Sequence, residues 1–223
     1  DSNYRIKKQF AQALLGKAYV FQKKWAEATV ILDEIVASGK YMLYTGEYGD
    51  MLTIKAPNNC ESIFEVNKLN DPNNAWTNWN LFAAMVGWRG SSMNITSEVN
   101  AECWGFCNPQ SDLYNAFVSE EGTNGYRLNQ TMKSYEAVKA NGDYIIDGKE
   151  LYGHEGYFPW KSRVLKNEMI SGGFMSSYNH MRYMRYAEVL LLAAEAHFKN
   201  GNNAKATEYV NLIRNRAKLS NKA

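Results

Sequence analysis

Arg182-Tyr183-Met184-Arg185-Tyr186-Ala187-Glu188-Val189-Leu190-Leu191-Leu192-Ala193-Ala194-Glu195-Ala196-His197 decides the fold class. Tyr186, Val189, Leu190, Ala193, Ala194 and His197 recur three and four positions apart, which places them on one apolar face of an α-helix. Lys199-Asn200-Gly201-Asn202 follows as a turn. Ala206, Tyr209, Val210, Ile213 and Ala217 then carry a second stripe, so the segment reads as a helical hairpin. The run Arg182–Tyr186 is read as the opening of the first of these helices, its rings packing and its arginines serving carboxylates or chain ends.

The start of the chain repeats this design. Phe10, Leu14, Ala18 and Phe21 form one helical stripe and Trp25, Ala28, Ile31, Leu32 and Ile35 another, with Lys23-Lys24 as the turn and Ser38-Gly39 as the stop. Laid over the C-terminal hairpin at an offset of 178 residues, the two share Ala18/Ala196, Ala26/Ala204, Ala28/Ala206, Thr29/Thr207 and Ile35/Ile213. Leu15-Gly16-x-x-Tyr19, with Ala28, Leu32 and Ile35, fits the spacing of a tetratricopeptide repeat, in which small residues let paired helices approach. One such repeat cannot bury its apolar face alone, so the first helix needs a neighbour.

The 223 residues carry 25 Lys and Arg against 23 Asp and Glu, a formal charge of +2 with no long runs, which gives no footprint for a nucleic-acid backbone. No apolar run approaches the roughly 20 residues needed to cross a bilayer. Asp1-Ser2-Asn3-Tyr4 opens with neither a basic n-region nor an apolar h-region, so a targeting segment is absent or was removed. Aromatics are abundant, with 6 Trp, 15 Tyr and 9 Phe, side chains that offer a flat apolar face and a polar edge together. Cys60, Cys103 and Cys107 are too few for a disulfide framework. Their spacing leaves buried thiols, a Cys103–Cys107 bridge and metal binding open, with buried or incidental thiols favoured.

Between the hairpins, residues 41–181 read as a loop-rich insertion. Ser62-Ile63-Phe64-Glu65-Val66 alternates as a short strand, Leu113–Phe117 reads as a short helix, and Tyr144-Ile145-Ile146 reads as a small strand between turns. Residues 67–100 are rich in Asn and Gly, with Asn70-Asp71-Pro72-Asn73-Asn74 as a turn, and show neither helical nor strand pattern. An insertion of this length is too long for a connector, and long loops usually carry function.

Phosphate-binding glycine loops, HExxH, GxSxG and CxxC are all missing. His154, His180 and His197 are isolated, with His197 on an apolar helix face. Glu120-Glu121 and Asp143/Asp147 read as solvated acids, and Asp143, Asp147 and Glu150 miss the spacing of a calcium loop. No catalytic residue, metal ligand or cofactor is expected. The richest cluster is Trp76-x-x-Trp79 with Asn78, Asn80, Trp88 and Arg89. Indole faces can stack on the C–H surface of a sugar while amides and a guanidinium satisfy its hydroxyls. The competing reading has these indoles pinning a long loop. Trp104 and Trp160, beside Gly105 and Pro159, are read as packing residues.

Several segments in order resemble the SusD/RagB family of Bacteroidetes outer-membrane lipoproteins. They are Ala18–Ala28 with Ile35–Tyr41, Glu61–Val66, Trp104-Gly105-Phe106 to Pro109 with Leu113 and Ala116-Phe117, Arg127–Thr131, Arg182–Ala196 and Asn211–Ala217, covering most of residues 4–219. The resemblance implies a mostly α fold: tetratricopeptide-like hairpins at 1–40 and 182–219, packed with the insertion at 41–181, as one SusD-like domain portion over 1–223. Family chains are about twice as long, so this one resembles a C-terminal portion. The implied role is non-catalytic binding of a nutrient glycan at the outer face of the outer membrane. The partner implied is a TonB-dependent SusC-like transporter, with membrane association through an N-terminal lipid anchor not present in this chain. A repeat scaffold that binds a peptide or protein is the alternative. By position, Trp76, Trp79 and Trp88 fall in the insertion expected to carry the ligand.

Overall fold

The computed structural model describes residues 5–173 and 175–223. The first four residues of the expected 1–40 hairpin, including the stretch Asp1–Tyr4, lie outside the described residues. The chain divides into two compact units. One comprises Asp1–Thr45, Asn58–Val66 and Met181–Ala223, and the other Gly46–Pro57 and Asn67–His180.

The first unit is built on two helical hairpins and a two-stranded ribbon. Helix α1 (Lys8–Phe21) pairs with α2 (Trp25–Ala37). Their close approach depends on Gly16, where a Cβ would stand 2.5 Å from Leu32 Cδ2. The second hairpin, numbered α7 (Tyr186–Lys199) and α8 (Asn203–Arg216) in chain order, repeats the first at the 178-residue offset down to its turn. Lys23 and Gly201 occupy equivalent left-handed positions, at φ 59° and 84°. Lys24 N donates to Tyr19 O just as Asn202 N donates to His197 O. The left-handed residue lets the chain reverse while the last carbonyls of the preceding helix stay hydrogen-bonded.

α7 packs against α1 and α2. Ala13, Val20, Ala28, Leu32 and Ile35 form one buried cluster with Val189, Leu190, Ala193, Ala194 and Ala196. Leu32 and Leu190 are wholly buried, each worth about 1.5–3 kcal/mol relative to exposure. His197 Nε2 lies 3.0 Å from Asp33 Oδ2, and Tyr209 OH donates to Asp33 Oδ1 at 2.8 Å, tying α7 and α8 to α2.

Strand β1 (Ser62–Val66) has the alternating burial its sequence predicts. Its partner corrects the sequence reading: of Arg182–Tyr186, expected to open a helix, the residues up to Arg185 belong to strand β6 (Met181–Arg185), and α7 begins only at Tyr186. Antiparallel pairing aligns Ser62 with Arg185, Phe64 with Met184 and Glu65 with Arg182, and interrupts the register twice. The charges explain the choice of strand. Arg185 and Arg216 both bond the fully buried carboxylate of Glu61, the latter at 2.6 Å, and Tyr44 N donates to it at 3.0 Å. Arg182 pairs with buried Glu65.

The second unit holds the remaining helices α3 (Leu81–Val86), α4 (Ser111–Glu121), α5 (Tyr126–Thr131) and α6 (Tyr135–Ala140). Its two small ribbons pair β2 (Met93–Asn94) with β4 (Tyr144–Ile145), and β3 (Met132–Ser134) with β5 (Tyr157–Pro159). Residues 67–100, read as patternless, contain a 3₁₀ helix at Pro72–Asn78 as well as α3 and β2. These short elements rest on caps rather than periodicity. Asp71 Oδ1 accepts from Asn73 N at 3.0 Å, Pro72 opens the first turn, and Asn80 Oδ1 accepts from Ala83 N at 3.1 Å at the start of α3. Among the described residues no helix is long and apolar enough to cross a membrane.

Candidate functional site: an aromatic row on the second unit

The loop at Cys103–Cys107 hangs from the C-terminal end of α3. Trp104 N donates to Ala84 O at 2.7 Å, Phe106 N to Met85 O at 2.9 Å, and Cys103 N to Trp88 O at 3.2 Å. Two glycines permit this approach. A Cβ on Gly87 would meet Cys103 Sγ at 2.3 Å, and Gly105, at φ +67°, passes beside Arg89. The result presents Trp104 and Phe106 side by side, their centroids 5.7 Å apart.

Two further rings extend the pair into a row. Trp79 meets Trp104 edge-on at 6.4 Å, and Tyr152 meets Phe106 at 5.5 Å and 70°. Trp79 is 39% exposed, Phe106 44% and Tyr152 66%, a large apolar area left facing water. The loop carrying Tyr152 is stitched to the segment after Phe106. Asn108 Nδ2 donates to both Gly105 O (3.0 Å) and Tyr152 O (2.8 Å), Gln110 Nε2 donates to Gly153 O (3.0 Å), and Glu155 Oε2 accepts from Ser111 N (2.7 Å). That last bond holds the Glu155 carboxyl below the usual carboxylate range. The amide donors of Asn108 and Gln110 are thus committed to the scaffold, which leaves their carbonyl oxygens as acceptors at the Tyr152 end of the row.

His154 lies in the same loop. Its Nδ1 accepts from Gly156 N at 3.2 Å, its ring packs on Phe158 at 4.6 Å, and Nε2 is buried without a hydrogen-bond partner. Burial pushes its pKa down, so the neutral ring with the proton on Nε2 fits the site.

The six residues singled out from sequence fall in different places. Trp79 stands in the row. Trp76 is 63% exposed on the 3₁₀ helix one turn before it, with Trp79 N donating to Trp76 O at 3.3 Å. Trp88 is a core residue: it is 2% exposed, packs against Phe158 and Trp160, and donates from Nε1 to Pro159 O at 3.2 Å. A ligand has no access to its faces. Asn78 donates its amide to Leu69 O at 2.9 Å, Asn80 caps α3, and Arg89 reaches Trp104 O at 3.5 Å. All three position loops around the aromatic rings. Sequence reasoning missed Trp104, Phe106 and Tyr152. The signal available was Trp104-Gly105-Phe106, two rings flanking a glycine, together with Tyr152-Gly153.

Among the described residues no three His, Cys, Asp or Glu side chains gather as a metal site. Asp143, one of the candidate calcium ligands, instead accepts from Thr96 N at 2.8 Å and Ser97 N at 2.9 Å. All three cysteines are free, and burial, with lesser contributions from Glu102 and Glu168, pushes the Cys103 thiol up to about 12.

No curated protein matches the sequence. Solved structures do. A laminarin-binding SusD-like protein is 25% identical, with a TM-score of 0.79 over 98% of this chain and 49% of its own. Surface glycan-binding protein A from Bacteroides thetaiotaomicron is 24% identical, with a TM-score of 0.79 over 99% of this chain and 49% of its own. The same protein in complex with laminarihexaose aligns at 22% identity and a TM-score of 0.74, covering 99% and 49%. The chain therefore spans about half the length of these structures. The fold they share is the mostly helical one described above. A family model described as the SusD family matches residues 60–223. With well over half its length covered by that model, the chain belongs to the SusD family.

Proposed function

We propose that the aromatic row of the second unit binds a nutrient glycan without chemical change, for delivery to a TonB-dependent SusC-like transporter at the outer face of the outer membrane. The row Trp79–Trp104–Phe106–Tyr152 carries the reading. Such rings cover the C–H faces of pyranoses, and the free carbonyls of Asn108 and Gln110, with the indole N–H groups, answer hydroxyls. Family membership and the likeness to a laminarin-binding SusD-like protein support a carbohydrate as the ligand. Trp76 belongs to the proposed surface as an exposed ring at the Trp79 end, and Trp88 does not.

If each sugar ring covers roughly 50 Å² of aromatic face, stacking contributes about 1 kcal/mol per ring, so affinity grows with the number of rings engaged. Calorimetric titration with laminari-, malto- and xylo-oligosaccharides tests the reading. One class is expected to bind, with Trp104→Ala and Tyr152→Ala each weakening it about five- to tenfold and no shorter sugars released on incubation. Silence toward every glycan, or unchanged affinity in both variants, would sink it.

A further inference from the structure

We infer that His154 is a positioning residue of the aromatic row: its neutral ring pins the loop that carries Tyr152 to the core, and protonating that ring frees Tyr152 and weakens the hold on a glycan. The inference rests on the glycan reading of the row given above.

The loop has one inward anchor at its tip. Leu151 packs into the core cluster around Trp88 and Phe158. Beyond it Tyr152, Gly153 and Glu155 are exposed, and the His154 side chain alone among Tyr152–Glu155 turns inward, its ring 4.6 Å from that of Phe158. Gly153 and Gly156 bracket it at φ 56° and 92°, and a Cβ on either would meet nothing within 4 Å, so the flanking backbone adds no packing of its own. The bonds from Asn108 and Gln110 to Tyr152 O and Gly153 O, and from Ser111 N to Glu155, are exposed and compete with water. The half-buried histidine ties the tip to the core.

The surroundings of the ring suit one protonation state. Nδ1 accepts from Gly156 N at 3.2 Å, and Nε2 is buried with no hydrogen-bond partner among the described residues. A second proton must go on Nδ1, where it meets the Gly156 N–H and leaves a charged ring with two donors and no acceptor. No counter-ion is in place among the described residues. Glu155 holds Ser111 N, Tyr157 on β5 stacks on Tyr114, and the hydroxyl of Tyr135, which packs on Phe158, accepts from Ile145 N. Lys133, paired with Phe158 across the β3–β5 ribbon, lies over Trp160. Lys149 and Glu150 before the loop, and Glu136 and Lys139 on α6, are exposed. Burial alone displaces the titration of the ring, downward. The proton therefore goes on most readily once the ring has left the core for water. That movement takes the nearby Tyr152 off Phe106, which it meets edge-on at 5.5 Å.

Free histidine titrates near 6.5, so at about pH 5 protonation favours the released loop by at most about thirtyfold. The released loop starts as the minority, so affinity should be intact above about pH 6.5 and fall about three- to tenfold by about pH 5. Glu155, held below the usual carboxylate range, keeps its charge throughout.

The test uses the whole chain and its His154→Gln and Tyr152→Ala variants, the last to assign the Tyr152 signals. Without ligand, a ¹H–¹³C spectrum of the tyrosine rings followed from about pH 7.5 to 5 should show the Tyr152 signals drift toward exposed values in step with the His154 ring, and stay in place in His154→Gln. With ligand, calorimetric titration of laminari-, malto- and xylo-oligosaccharides over the same range should show the three- to tenfold loss in the parent and a flat profile in His154→Gln, which is judged on its slope alone. Far-UV circular dichroism should not change. Tyr152 signals indifferent to the His154 titration would overturn the inference whether or not any glycan binds. A flat affinity profile in the parent, or an equal slope in His154→Gln, would overturn it and leave the glycan reading standing. Collapse of the circular dichroism together with the Tyr152 shift would overturn it too, by making the event global unfolding. Silence toward every glycan at every pH, with Tyr152 still following His154, would support the coupling and sink the glycan reading instead.

Discussion

Gly105→Ala probes whether the row depends on its backbone. Gly105 sits at φ +67°, where an alanine costs about 1–2 kcal/mol. The added Cβ would stand 3.0 Å from Arg89 Cβ and 3.2 Å from Arg89 N, an overpacking against main chain that adds on the order of 1 kcal/mol. Gly148 provides the control. It has φ +73° with nothing within 4 Å, so Gly148→Ala carries the conformational cost alone. Urea unfolding followed by tryptophan fluorescence should place Gly105→Ala about 2–3 kcal/mol below the parent at unchanged slope, and Gly148→Ala about 1–2 kcal/mol below. Because Trp104 and Phe106 flank Gly105, the first substitution should also weaken glycan binding about tenfold and the second should leave it alone. Equal stability of the two variants, with equal affinity, would refute the reasoning.

Three further outcomes are expected. Glu61→Ala removes a wholly buried carboxylate from Arg185, Arg216 and Tyr44 N, and should destabilise the first unit by about 3–5 kcal/mol in chemical denaturation, whereas a loss under 1 kcal/mol would show the pairs to be incidental. His154 has a depressed pKa in the folded chain, so the unfolded chain takes up its proton first. Stability should therefore fall as pH drops from about 6.5 toward the folded pKa and level off below it, and His154→Gln should flatten that dependence between pH 7 and 5. A thiol reagent should titrate Cys60 and Cys107 in the native chain and reach Cys103 only on unfolding, since burial keeps that thiol protonated; three fast thiols would contradict its placement.

The helical hairpins were legible because their information is local. A 3.6-residue period, a turn and a matching copy 178 residues away suffice to place α1, α2, α7 and α8. Strand β6 was not legible. Its five residues adjoin a strong helical stripe, and the carboxylates that make Met181–Arg185 extended, Glu61 and Glu65, lie more than 110 positions earlier. The short elements of residues 67–100 rest on single side-chain caps, which leave no periodic trace.

The same division runs through the site. Tryptophan looks alike in sequence whether it packs or binds, and contacts with the distant Phe158, Pro159 and Trp160 help make Trp88 a core residue. Trp79, Trp104 and Tyr152 come together through main-chain bonds to Ala84 and Met85 and through the bridging amide of Asn108. Asn78, Asn80 and Arg89, read as groups for sugar hydroxyls, each commit one polar atom to the main chain of that region.

The most direct test of the aromatic row is the indole N–H region of a ¹H–¹⁵N spectrum, to which each of the six tryptophans of the chain contributes one signal. On titration with the glycan that binds, the Trp79 and Trp104 signals are expected to move together and saturate, while Trp88 and Trp160 stay in place. Movement of Trp88 with Trp104 unmoved, or saturable glycan binding that shifts no indole of the row, would contradict the account.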